Sequence, residues 1–347
     1  MFKRILFVFL LSLYCGINVV AQGTSTEKAK ELPFMPVING TFRAFYRQST
    51  VSDQSRFEVA NARLSLSGNV MEWLKYYMQV EYDNLGKIKI LDAYATIIPT
   101  KGLKIMAGQM RVPLCVEATR SPFAYYFADV ALVTKFGNLR SVGVKAGYTI
   151  PELPWYFEGG VFNASDMSDH STWNSALTYS IKTNYTAKCG LKPEIGFMSR
   201  VPGGEGVGVR VNQYDASLSW TCGRFFTEVE YLYRTYADGA HPDSYAYNFF
   251  VDYSIPVKWR MADQVSFQAR FDGISDASEG KKNAEGELDT NIDARRRVTI
   301  GTTFSRKIGN LSTNFRLNFE QYFYGHTSLR PSTAENNQIV AGVMLHF

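Results

Sequence analysis

The 347-residue sequence predicts an all-β protein, an antiparallel sheet closed into a transmembrane barrel of about sixteen strands. Three observations lead there: apolar and polar residues alternate with period two in run after run, the connections between runs alternate in length, and the chain ends on an apolar strand, QIVAGVMLHF. Composition agrees. Aromatic residues make up 14% of the chain, with 24 Phe and 21 Tyr, and such residues are favoured in strands. Mean hydropathy is slightly negative, which excludes a bundle of transmembrane helices.

The alternation is plain in LKYYMQVEY, where Leu74, Tyr76, Met78, Val80 and Tyr82 oppose Lys75, Tyr77, Gln79 and Glu81. It recurs in QVSFQARFD and in LSTNFRLNFEQYF, each with one apolar and one polar face. Marked in order, the first eight runs are 40–48, 57–67, 74–82, 87–98, 103–111, 139–149, 155–163 and 175–186. The remaining eight are 191–200, 209–222, 225–236, 244–256, 263–273, 293–305, 311–324 and 338–347. Glycines 203, 204, 206 and 208 blur the end of the ninth.

Connections after even-numbered runs are short: GNVMEW, PTKG, IPELP, AKCGL, GR and RKIGN, with a vaguer one near 257–262. Those after odd-numbered runs include the long segments 112–138, 164–174, 274–292 and 325–337. Short turns on one side and long loops on the other are the pattern of outer-membrane barrels, whose tilted strands need about 9–11 residues to cross. Closure also satisfies every backbone hydrogen bond, which lipid demands. The apolar terminus then has a purpose. The final strand closes the barrel, and Phe347 stands as the aromatic signal read by the barrel-assembly machinery.

The N-terminal MFKRILFVFLLSLYCGINVVAQ reads as an export signal, with Lys3 and Arg4 before an apolar stretch and Val19-Val20-Ala21 as a small-residue cleavage site. Residues 1–21 are expected to be removed, leaving 22–39 as a short periplasmic segment and 40–347 as the barrel. Without Lys3 and Arg4 the formal charge falls from +5 to +3, too small to argue for nucleic acid. The three remaining cysteines fit no metal motif, and neither a metal nor a cofactor is expected. Cys189 before the ninth run and Cys222 at the end of the tenth would meet at the periplasmic edge, where a disulfide is an open possibility if their Cα atoms lie within about 7 Å.

From Phe57 to Phe136 the sequence resembles the phosphate-selective porins O and P. FEVANARLSLSGNV and LKYYMQVEYD resemble the strands flanking that family's first periplasmic turn. The stretch LKIMAGQMRVPLCVEATRS is similar to the family's Gly-Gln, basic residue, Val-Pro and downstream Glu, here Gly108, Gln109, Arg111, Val112, Pro113 and Glu117. The resemblance implies a sixteen-stranded barrel in the outer membrane of a Gram-negative bacterium, commonly a homotrimer embedded in lipid. It also implies a third external loop folded into the channel. The third external connection here, 112–138, is the longest and contains the apolar SPFAYYF, so it is expected to fold inward, with Pro113, Glu117, Arg120 and Lys135 at the constriction.

The parity opposite the apolar face should line a pore. It carries twelve basic residues, among them Arg43, Arg63, Arg111, Lys145, Arg270 and Arg316, against nine acidic ones. Fixed charge in a narrow pore decides which ion enters. The sequence therefore points to passive diffusion of small hydrophilic solutes with a mild preference for anions, phosphate being the finer reading. Two alternatives stand beside it. A barrel with a blocked channel could serve as an anchor or receptor. An enzyme would need a nucleophile and a positioned base, yet His170, His241, His326 and His346 have no serine-centred elbow beside them.

Overall fold

The computed structural model describes residues 35–347, apart from 165, 168–169, 171–172, 174–175, 205 and 326–335. The expected export signal and residues 22–34 of segment 22–39 thus lie outside the described residues, as does His326; residues 37–39, expected in the periplasmic segment, already belong to the first strand. Sixteen strands form one closed antiparallel barrel in which each strand pairs with its sequence neighbours and the first pairs with the last. In order they are β1 (Val37–Ser49), β2 (Ser55–Met71), β3 (Leu74–Asp83), β4 (Ile88–Thr100), β5 (Leu103–Arg111), β6 (Arg140–Thr149), β7 (Trp155–Asn163) and β8 (Leu177–Tyr185). The second half comprises β9 (Leu191–Arg200), β10 (Val211–Cys222), β11 (Phe225–Tyr236), β12 (Ser244–Pro256), β13 (Gln264–Ile274), β14 (Arg295–Ile308), β15 (Leu311–Tyr324) and β16 (Gln338–His346).

Alternation places the two faces as expected. On β13, Phe267 and Phe271 are exposed on the outer surface, while Arg270 and Asp272 are buried in the lumen. The terminal strand follows the same rule, with Ile339, Val343 and Phe347 outward and Val340 and Met344 buried inside. The seam runs from Thr41 opposite His346 to Ser49 opposite Gln338. Beyond it, Gly40 and Phe347 exchange both backbone hydrogen bonds, at 2.9 and 3.1 Å. A Cβ on Gly40 would lie 2.2 Å from the Phe347 ring, so the terminal aromatic occupies the space that a side chain would take.

Two of the short turns are as tight as a hairpin allows. Gly223-Arg224 and Gly309-Asn310 each join two strands, and both glycines have φ of +59°. A two-residue hairpin of this hand needs a positive φ at its first central position. Strand β2 departs from expectation by running on to Met71, four residues past 67, which leaves only Glu72 and Trp73 in the turn. Gly68 misled the sequence reading. It sits within the strand opposite Tyr76, and a Cβ there would lie 2.6 Å from the tyrosine hydroxyl.

The interior is not hollow. Residues 112–138 enter the lumen and carry two single-turn helices, α1 (Val116–Thr119) and α2 (Thr134–Gly137). Val112, Leu114, Cys115, Val133 and Phe136 from this segment form one buried apolar cluster with Phe162, Met198 and Leu232 from the wall. The apolar SPFAYYF stretch is thereby sheltered. Tyr125 and Phe127 are buried, and Phe123 stacks on His346 at 5.1 Å.

Candidate functional site: a lumen divided by the inserted loop

Four arginines hold the loop by consecutive carbonyls. Arg316 donates to Phe127 O at 2.7 Å, Arg43 to Ala128 O, Arg270 to Asp129 O at 2.8 Å and Arg297 to Val130 O at 2.7 Å. Two loop amides are also taken up, Ala128 N by Asn318 Oδ1 and Leu132 N by Asp272 Oδ2. Arg47 grips the Asp129 carboxylate through two nitrogens, at 2.8 and 2.6 Å. Burial raises the Asp129 carboxyl, but Arg47 and Arg297 outweigh it and hold the group well below the usual carboxylate range. Each hydrogen bond to a charged group contributes about 1.5–3 kcal/mol net.

The loop's first leg is fixed against β8–β11. Ser180 donates to Pro113 O, and Glu230 accepts the Val116 and Glu117 amides at the start of α1. Arg120 bridges Glu117 and Glu228. Burial lowers the Arg120 guanidinium, yet the two carboxylates more than offset it and raise its pKa above the ordinary value. Cys115 is fully buried, and burial, reinforced by Glu230 and Asp215, pushes its thiol well above the ordinary range.

What the loop leaves open lies on the other side. A cavity of about 630 Å³ is bounded by the loop and by β2–β9. Seven basic residues line it: Arg63, Arg111, Arg120, Arg140, Lys145, Lys182 and Lys192. Only Asp92, Glu158 and Glu194 are acidic. A second cavity, of about 480 Å³, lies toward the long loops and is lined by Lys135, Arg140, Arg200, Arg234 and Lys281 with Asp166 and Glu279.

The residues expected to line a pore therefore separate. Arg63, Arg111 and Lys145 face the larger cavity, while Arg43, Arg270 and Arg316 are buried against the loop. Of the loop residues, Pro113 and Glu117 are buried, Arg120 reaches the larger cavity and Lys135 the smaller. Most cavity cations have an acidic partner: Arg63 meets Glu81 at 2.5 Å, Lys145 meets Glu158 at 2.5 Å and Lys182 meets Glu194 at 3.0 Å. Arg111 makes no ion pair among the described residues and donates only to Asn138 Oδ1, at 3.2 Å. Its pair across the ladder is another cation, Arg140.

Arg140 is the residue that sequence reading missed. Counted from Lys145, which points inward, its parity points outward. It is nevertheless buried and binds Asp92 through Nε at 3.0 Å and Nη2 at 3.2 Å. Strand alternation fails there because β6 begins at that residue, where the chain has only just left the lumen. One expectation needs correction. Cys189 and Cys222 are exposed free thiols and the considered bridge is not formed. Cys189 belongs to the turn closed by Gly190 N and Ala187 O, whereas Cys222 is the last residue of β10. Two of the histidines have structural partners: His241 meets Thr290 Oγ1 and His346 meets Thr41 Oγ1, each at 3.0 Å.

Residues 38–194, from β1 into β9, match the family model described as phosphate-selective porin O and P. Over that stretch, less than half of its length, the chain is similar to outer-membrane porins, and its closed sixteen-strand barrel is their fold. Solved structures show the same fold at low sequence identity. The anion-selective porin from Comamonas acidovorans aligns with a TM-score of 0.58 at 12% identity, covering 90% of this chain and 98% of that one. OmpF of Salmonella typhi, solved with daunomycin, gives 0.60 at 11% identity, with 90% and 97% covered. OmpT of Vibrio cholerae in its trimer form gives 0.59 at 11%, with 90% and 98% covered. No curated protein matches the chain by sequence.

Proposed function

We propose that this porin passes small hydrophilic anions in preference to cations. The observation that carries the reading is the lining of the larger cavity, where seven basic side chains face three acidic ones. The Comamonas porin of the same fold is described as anion-selective, and the matching family as phosphate-selective. Phosphate is the finer reading, supported by that description and by the clustering of arginines. The reversal potential of the mature protein in a planar bilayer under a KCl gradient is expected to shift to the anion side, and added phosphate to reduce the chloride current. A cation-side shift would refute the preference. A silent bilayer would instead favour an anchor or receptor with a closed lumen.

The porin is further proposed to assemble as a homotrimer. On β4–β6 the exposed alanines 93, 95, 107 and 146 leave gaps between the exposed Ile90, Ile97 and Val144, in contrast to the aromatic surface of β11–β13. Small side chains let two barrels approach closely, and the Vibrio OmpT structure is described as a trimer. The mass of the detergent-solubilised protein should correspond to three chains; a single-chain mass would exclude the assembly.

A further inference from the structure

Besides the Arg111 that the sequence singles out, one other basic residue stands at the boundary between the two cavities. Arg140 lines both cavities, the one toward the long loops and the one bounded by β2–β9. It is the first residue of β6 and faces Arg111, the last of β5, so the pair forms the neck at which the inserted loop leaves and rejoins the wall. Above the neck, Val112 N bonds to Leu139 O at 3.0 Å and draws the two legs together.

We propose that Arg140 is the specificity-determining residue of the passage between the two cavities, and that Asp92 is its positioning residue. The inference rests on the channel reading and says where selection occurs. Asp92 accepts from Nε and Nη2 of Arg140, fixing the plane of the guanidinium against β4. Nη1 has no hydrogen-bond partner among the described residues, yet it is not one of the buried unsatisfied atoms, so it remains reachable from the cavity. A bidentate grip of this kind adds geometric definition as well as energy. The arrangement presents one fixed N–H donor to the passage while Asp92 cancels most of the charge behind it. An anion crossing the partition meets that donor and the uncompensated Arg111 together, whereas a cation meets Arg111 alone at close range.

The charge-matched comparison is Arg140→Gln against Lys192→Gln. Both remove one positive charge from the same cavity, but Lys192 lies at the start of β9, away from the partition. In bilayers, Arg140→Gln should lower the anion-to-cation permeability ratio about fivefold, because it removes the donor and leaves the Asp92 charge bare at the neck, and Lys192→Gln less than twofold. Asp92→Asn should move the ratio the opposite way, because it releases Arg140 from its counter-charge. Arg140→Lys should restore the ratio only in part, since an ammonium cannot reproduce the bidentate geometry. The neutral double variant Asp92→Asn/Arg140→Gln avoids leaving a buried carboxylate unpaired; it should assemble and still show a lowered ratio, though less so than Arg140→Gln alone, and a wild-type ratio in it would overturn the assignment. Equal shifts for Arg140→Gln and Lys192→Gln, or shifts of the same sign for Arg140→Gln and Asp92→Asn, would overturn the assignment while leaving the channel reading intact. A non-conducting wild type would overturn both.

Discussion

Replacing Arg111 with Gln should cut the anion preference of the porin about fivefold, and replacing Arg270 in the same way should leave that preference within about twofold of wild type. A unit charge at 4 Å is worth about 1 kcal/mol even in bulk water, which is roughly a fivefold change in local ion occupancy. Arg111 can exert that influence because it faces the larger cavity without an ion-pair partner among the described residues. Arg270 cannot. Its side chain is 1% exposed, it donates to Asp129 O, and Asp272 and Glu320 lie 3.7 and 3.9 Å away. Arg63 should fall between the two, since Glu81 at 2.5 Å already neutralises it. Reversal potentials of the three variants at 0.1 M salt, where the Debye length is about 10 Å, give the order directly. An Arg270 effect as large as that of Arg111 would mean that the ion path runs through the loop clamp rather than beside it.

The contrast shows which part of the protein was legible in its sequence. Period-two patterning depends only on which face of a strand meets lipid, so it placed the strands nearly to the residue: β9 and β15 have the bounds the pattern suggested. The inward cations followed from the same parity. Their roles did not, because parity says that Arg43, Arg270 and Arg316 point inward but not what waits for them there. The backbone of residues 127–130 takes up those donors, and no local pattern links a loop carbonyl to an arginine some 140 to 190 positions later, as with Arg270 and Arg316. Arg140 was missed for the opposite reason. It lies where strand geometry begins, so the alternation that governs the rest of β6 does not yet apply to it.

The arginine clamp also makes a prediction about the loop itself. In Arg270→Ala, the Asp129 carbonyl loses its donor, the Phe127 ring loses a guanidinium 4.4 Å from its centroid, and Asp272 and Glu320 keep only Arg297 between them. Removing one partner from a buried ionic network typically costs about 3–5 kcal/mol, because the charges left behind are no longer solvated. The barrel wall should survive, since its ladder of strand pairs does not pass through Arg270's side chain. The loss should fall on the loop. The unitary conductance is expected to rise and to flicker as residues 127–130 leave the β13–β15 wall, and a protease should cut within 112–138 where the wild type resists. Combining Arg270→Ala with Arg316→Ala should extend both effects, as neighbouring members of one network seldom act independently. If conductance, noise and protease resistance all match the wild type, the loop is held chiefly by the apolar packing of Leu114, Val133 and Phe136, and the four arginines serve the wall instead.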